Sequence, residues 1–150
     1  MSVEVVTEQS LATLLAERWE QVSRKLADLA EAIPAENFEK TPVAGLRTCG
    51  AVVRHVAFWN QYVVDSLGGR AVNDTGNELP SSEYPHKQSV LDELMRTSRD
   101  SVSALRNHSG ALNQKTAELM MTFVEHTSEH YGQLVVYARL LGIVPPASRT

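Results

Sequence analysis

The stretch CGAVVRHVAFWNQYVVDSLGG, residues 49–69, decides the fold. Its inward-facing side chains follow the helical period, because Val52, Phe58 and Tyr62 fall within about 60° of His55 on a helical projection. Thr48 suits the N-cap position of such a helix, and the two glycines at its end stop it. The sequence therefore predicts a helix that turns a histidine and several aromatic side chains inward.

Three more segments flank this helix and have the same period. A first helix is predicted over about residues 8–33, where Pro34 disfavours its continuation. A third is predicted over residues 87–107 and a fourth over about residues 114–141. Residues 70–86 are rich in Gly, Pro, Asn and Ser, and this connection is long for a compact domain. With no strand-period segment, the sequence predicts an all-α fold, an antiparallel four-helix bundle formed by a single domain over residues 1–150.

Composition excludes several classes of function. The net charge of −4 and the scattered Lys and Arg residues argue against a nucleic-acid-binding protein. No stretch reaches the roughly 18 apolar residues that span a bilayer, and residues 1–10 lack the basic and apolar parts of a signal peptide. The single cysteine, Cys49, excludes an internal disulfide and is expected to be a small buried residue rather than a nucleophile. We therefore expect a cytoplasmic protein without nucleic-acid or membrane partners.

The segment EHTSEHYGQ, residues 125–133, carries the strongest chemical signal. On a helix, His126 and His130 lie about 40° and 6 Å apart, so two imidazoles can share one ion. An inward His55 needs a partner, and the same ion would provide one. Three neutral imidazoles suit Zn, Ni, Cu or Fe and leave a coordination position open. Two alternatives stay open, namely a solvated helix face and histidines that hydrogen-bond one another.

Other side chains near these histidines are candidate helpers. HTSEH matches the H-x-x-E-H pattern of inverzincin peptidases, but the large α/β fold and the further ligand of those enzymes are not found here. Glu129 is therefore either a proton acceptor beside the metal or a surface carboxylate. Gln133 and Tyr62 are candidates to contact a histidine ligand or the substrate. The loop 70–86 could cover the site, and His86 within it could add a fourth ligand.

Two motif-bearing stretches, TPVAGLRTCGAVVRHVAFWNQYVV and FVEHTSEHYGQLVVYARLLGIVPPASR, resemble the DinB-like family of small metal-binding bacterial four-helix bundles, which is related to YfiT-like hydrolases. The resemblance implies a divalent-metal site formed by His55, His126 and His130, with Zn or Ni as the ion, in a homodimer. It also implies a hydrolase or a transferase that uses a low-molecular-weight thiol and acts on a small molecule. The alternative function is a noncatalytic metal-binding scaffold of the stress response.

Overall fold

The computed structural model describes residues 8–108 and 113–150, and the secondary structure within them consists of helices, with no strand. The predictions for residues 1–7 and for most of the turn at residues 108–113 lie outside this part of the chain. The all-α prediction is confirmed. The long helices are α1 (Glu8–Ala32), α3 (Cys49–Leu67), α4 (Lys87–Arg106) and α5 (Gln114–Leu140), and the short ones are α2 (Ala35–Phe38) and a 3-10 helix, Pro146–Ser148.

Local sequence explains where the long helices begin and end. Thr48 Oγ1 accepts a hydrogen bond from the backbone N–H of Ala51 at 3.0 Å, which fixes the start of α3 as predicted. The side chain of Asn113 caps α5 in the same way. Beyond α5, Gly142 has a φ of 74°, a left-handed conformation that favours glycine. The helices that carry the histidines are therefore fixed at their N-termini by side-chain caps.

Helix directions in the bundle are mixed. α1 is antiparallel to α4, because the Lys87 ammonium donates to the carbonyls of Glu31 and Ile33 while Arg106 pairs with Glu20. α3 is antiparallel to α5. The other two neighbouring pairs, α1 with α5 and α3 with α4, are parallel, as the shared core clusters at each end of the bundle require. Two of the four contacts thus have the predicted antiparallel sense.

The parallel pairing of α3 and α4 explains the long connection between them. α3 has 19 residues and is therefore about 28 Å long. Residues 68–86 must travel back over this distance before α4 can begin beside the start of α3. The connection is therefore a structural part of the bundle that runs past the middle of α3.

The core consists of two apolar clusters along the bundle axis. One lies where α1 ends and α3 and α4 begin, and it includes Leu29, Val53 and Leu134. The other, around Trp19 and Phe123, lies at the opposite end. In the sequence, His55 lies between Val53 and Val56 of the first cluster, whereas His126 lies between Phe123 of the second cluster and Leu134 of the first. Among the described helices, none combines the length and the apolar character needed to cross a membrane.

Candidate metal centre

Helices α3 and α5 bring His55, His126 and His130 together. One ring nitrogen from each of the three lies within 4.8 Å of the others. The centroids of the three rings are 4.6 to 5.0 Å apart, and His55 is buried whereas the other two are half-buried. The three histidines singled out from helical geometry thus form one group, which could hold a metal ion.

Hydrogen bonds orient two of these imidazoles. His55 Nδ1 lies 2.5 Å from the backbone oxygen of Asn77. Because a carbonyl oxygen only accepts, Nδ1 carries the proton and donates the hydrogen bond. His130 Nδ1 lies 2.9 Å from the side-chain oxygen of Gln133 and donates in the same way. In both rings the lone pair is therefore on Nε2, and this is the nitrogen that is free to bind a metal ion.

The orientation of Gln133 is fixed by a second hydrogen bond. Its amide nitrogen donates to Tyr137 Oη at 2.8 Å, which leaves the amide oxygen for His130. Both ends of the amide are thus used within α5. Gln133 is therefore placed to orient His130.

The position of the third imidazole, His126, shows whether the three nitrogens are spaced to bind one metal ion. Its Nε2 lies 3.0 Å from Nε2 of His55, close to the roughly 3.3 Å between two nitrogens of a tetrahedral zinc site. A hydrogen bond between the two rings also fits this distance. However, such a bond involves only His126 and His55 and leaves Nε2 of His130 without a donor. An ion would instead bind the Nε2 lone pairs of all three histidines. The donor set therefore fits a divalent ion.

Burial favours the neutral form of two of the imidazoles, His126 and His55. It lowers the pKa of His126 to about 3, and the charges that His130, His55 and Arg47 carry when protonated act in the same direction. Burial also lowers the pKa of His55, although the hydrogen bond to the Asn77 carbonyl opposes this shift. Metal binding requires neutral histidine, so both rings are in the required form near neutral pH.

Comparison with known protein families agrees with this geometry. A family model described as the DinB family matches residues 1–149, a region that contains all three histidines. The chain belongs to the DinB family. This confirms the resemblance inferred from the two sequence stretches. No curated protein matches the chain.

The other predicted residues of this DinB-family chain lie at various distances from the histidine group. Glu129 is exposed and, among the described residues, has no hydrogen bond or ion pair. Tyr62 is half-buried, and its ring centroid lies 5.4 Å from that of Trp59 and 6.2 Å from that of Phe123. His86 is exposed at the start of α4, where it forms a capping box with Ser89, and it does not join the group.

The sequence did not indicate the contribution of the long connection in this DinB-family protein. Nδ1 of His55 is held by a backbone carbonyl of residues 70–86, the loop that could cover the site, while its Nε2 faces His126. A backbone carbonyl has no sequence signature, so nothing in the sequence could have indicated Asn77. Cys49 is buried as predicted, and burial raises the pKa of its thiol to about 12, so it is not a nucleophile.

Proposed function

We propose that this DinB-family protein binds a divalent metal ion, Zn or Ni, through Nε2 of His55, His126 and His130. One observation carries the proposal: three imidazoles converge while two of them donate Nδ1–H away from the point of convergence. Hydrogen bonding of the outer ring nitrogen is the usual arrangement of histidine ligands. A solvated helix face would not need it.

We further propose that the protein is an enzyme acting on a small molecule, a hydrolase or a thiol-dependent transferase. Held by these three histidines, a divalent ion would leave one coordination position open and would supply there a bound water with a pKa near about 7 or a deprotonated low-molecular-weight thiol. The positive charge of Arg47, which acts on both His55 and His126, favours an anionic substrate at that position. Tyr62 and Glu129 are proposed to contact the substrate and to accept a proton, respectively.

One observation favours a noncatalytic alternative, a metal-binding scaffold of the stress response. Within the part of the chain that the structure describes, no carboxylate joins the three histidines, and Glu129 faces solvent. Hydrolysis at a metal generally uses a positioned proton acceptor, so its absence from the group suits a protein that holds an ion without turnover. In either case we expect a cytoplasmic homodimer, as in related bundles.

Metal titration of the chelator-treated protein tests the proposed site. We expect calorimetry with Zn²⁺ and with Ni²⁺ to give one ion per chain for the wild type. His126→Ala should lower the affinity by more than the roughly 100-fold that marks the upper range for residues that only orient a ligand. The matched control is His108→Ala, which removes a half-buried imidazole beyond the end of α4.

Two results would overturn the site assignment. One is equal metal content, by elemental analysis, in the wild type and in His126→Ala. The other is an equal loss of metal in His108→Ala, which would show that the effect is not specific to the histidine group. If the site holds an ion, activity screens with and without added thiol distinguish the enzyme from the scaffold.

A further inference from the structure

Residues 76–79 of the long connection, here called the docking segment, lie directly on α3. Gly76 packs so closely on Phe58 that a Cβ atom there would come within 2.8 Å of the ring. Asn77 Oδ1 accepts a hydrogen bond from Trp59 Nε1 at 3.2 Å, and the backbone oxygen of the same residue accepts from His55. Gly76 and Asn77 thus both contact α3 between His55 and Trp59.

The docking segment is held by a buried charge. Arg54 precedes His55 on α3 and is only 4% exposed. Its Nε donates to Glu78 at 2.9 Å, and its other nitrogens donate to Glu39 at 2.6 and 3.3 Å. A buried guanidinium without a carboxylate is strongly unfavourable. Arg54 therefore fixes the position of Glu78, and with it the position of the neighbouring Asn77 carbonyl.

We propose that the ion pair between Arg54 and Glu78 positions His55. It holds the Asn77 carbonyl on His55 Nδ1, which keeps the proton on that nitrogen and directs Nε2 toward His126. Arg54 and Glu78 are positioning residues, since neither touches the proposed ion. The effect on metal affinity rests on the proposed function, whereas the effect on the His55 tautomer does not.

The register between helix and segment supports this coupling. Arg54 and His55 are neighbours on α3 and point about 100° apart. Glu78 and Asn77 are neighbours in the docking segment and bind these two side chains in turn. The backbone N–H of Leu79 also donates to the Arg54 carbonyl at 3.4 Å. A shift of the segment that breaks one contact therefore displaces the other.

The test compares Glu78→Gln with Glu83→Gln. Both variants remove one negative charge from the same connection, but Glu83 is exposed and, among the described residues, has no ion pair. Glutamine keeps the size of the side chain, and Glu39 still pairs with Arg54, so Glu78→Gln should fold. The readouts are the His55 tautomer, from two-bond ¹⁵N couplings in metal-free protein, and the Zn²⁺ affinity from calorimetry.

We expect Nδ1–H at His55 in the wild type and in Glu83→Gln. In Glu78→Gln we expect a mixture of tautomers and about tenfold weaker Zn²⁺ binding, the lower end of the range for residues that orient a ligand. An unchanged tautomer in Glu78→Gln overturns the proposal, even if affinity falls. The same change in Glu83→Gln also overturns it. A changed tautomer in a protein whose wild type binds no metal refutes the proposed function and supports the positioning role.

Discussion

At the scale of single residues, Gln133 orients His130, because its amide connects Tyr137 to that imidazole. Gln133→Leu leaves His130 Nδ1–H without an acceptor. We expect metal affinity to fall by about tenfold while the helix content stays the same. Calorimetric titration with Zn²⁺ measures the effect.

Tyr137→Phe provides the control for Gln133→Leu. It removes the hydroxyl that the Gln133 amide contacts but leaves the hydrogen bond to His130 in place. Its affinity should therefore stay closer to that of the wild type. Wild-type affinity in Gln133→Leu would show that the amide does not orient a metal ligand.

The three histidines were predictable because a helix fixes the direction of each side chain once its axis is known. His126 and His130 share a face by spacing alone, and the aromatic neighbours of His55 indicated its inward direction. Asn77 and Glu78 were not predictable. Loops have no period, and the partner of His55 lies 22 residues further along the chain. Arg54 carried no signal beyond being a charge next to an inward histidine.

At the scale of helices, the contact between α1 and α5 includes a buried hydrogen bond. Trp19 Nε1 donates to Thr127 Oγ1 at 3.0 Å, and both residues are almost fully buried. Thr127→Val keeps the shape of the side chain but leaves the indole N–H without an acceptor. We expect the free energy of unfolding, measured in urea, to fall by about 1 to 3 kcal/mol.

Ser128→Ala is the matched control for this variant. Both hydroxyls donate to the carbonyl four residues earlier, Thr127 to Phe123 at 2.8 Å and Ser128 to Val124 at 2.7 Å. Ser128 is exposed, and its one hydrogen bond to the described residues stays within α5. Its replacement should change stability by less than about 0.5 kcal/mol. Equal losses in both variants would show that the hydrogen bond between α1 and α5 contributes nothing.

Helix positions were predicted well and helix directions less well. Apolar periodicity shows which face of α3 is buried, but it does not show which neighbour covers that face. The length of residues 70–86 was the only hint that α3 and α4 run parallel. The four-residue α2 was missed because so short an element has no measurable period.

At the scale of the whole molecule, the stability of the metal-free protein should depend on pH. The pKa of His126 is about 3 in the folded chain, whereas an unfolded histidine titrates near about 6.5. Below about pH 6.5 the unfolded chain therefore binds a proton that the folded chain does not. The free energy of unfolding should consequently fall as the pH drops through this range.

The comparison with His126→Gln isolates this contribution. Denaturant unfolding between pH about 6.5 and about 4 should show a slope that is smaller in the variant by up to about 1.4 kcal/mol per pH unit. Parallel curves for the two proteins would show that the folded chain does not hold His126 neutral. Chelator must be present throughout, because a bound ion would compete with protons for the same nitrogens.

The distance of 71 residues between His55 and His126 also has a consequence for folding. Each helix can form locally within microseconds, but the histidine group exists only after α3 and α5 have paired across most of the chain. A collapsed chain with its helices formed but wrongly paired would hold at most the two histidines of α5. Full coordination would therefore report native topology rather than helix content, and an ion would stabilise only chains that have completed the long-range pairing.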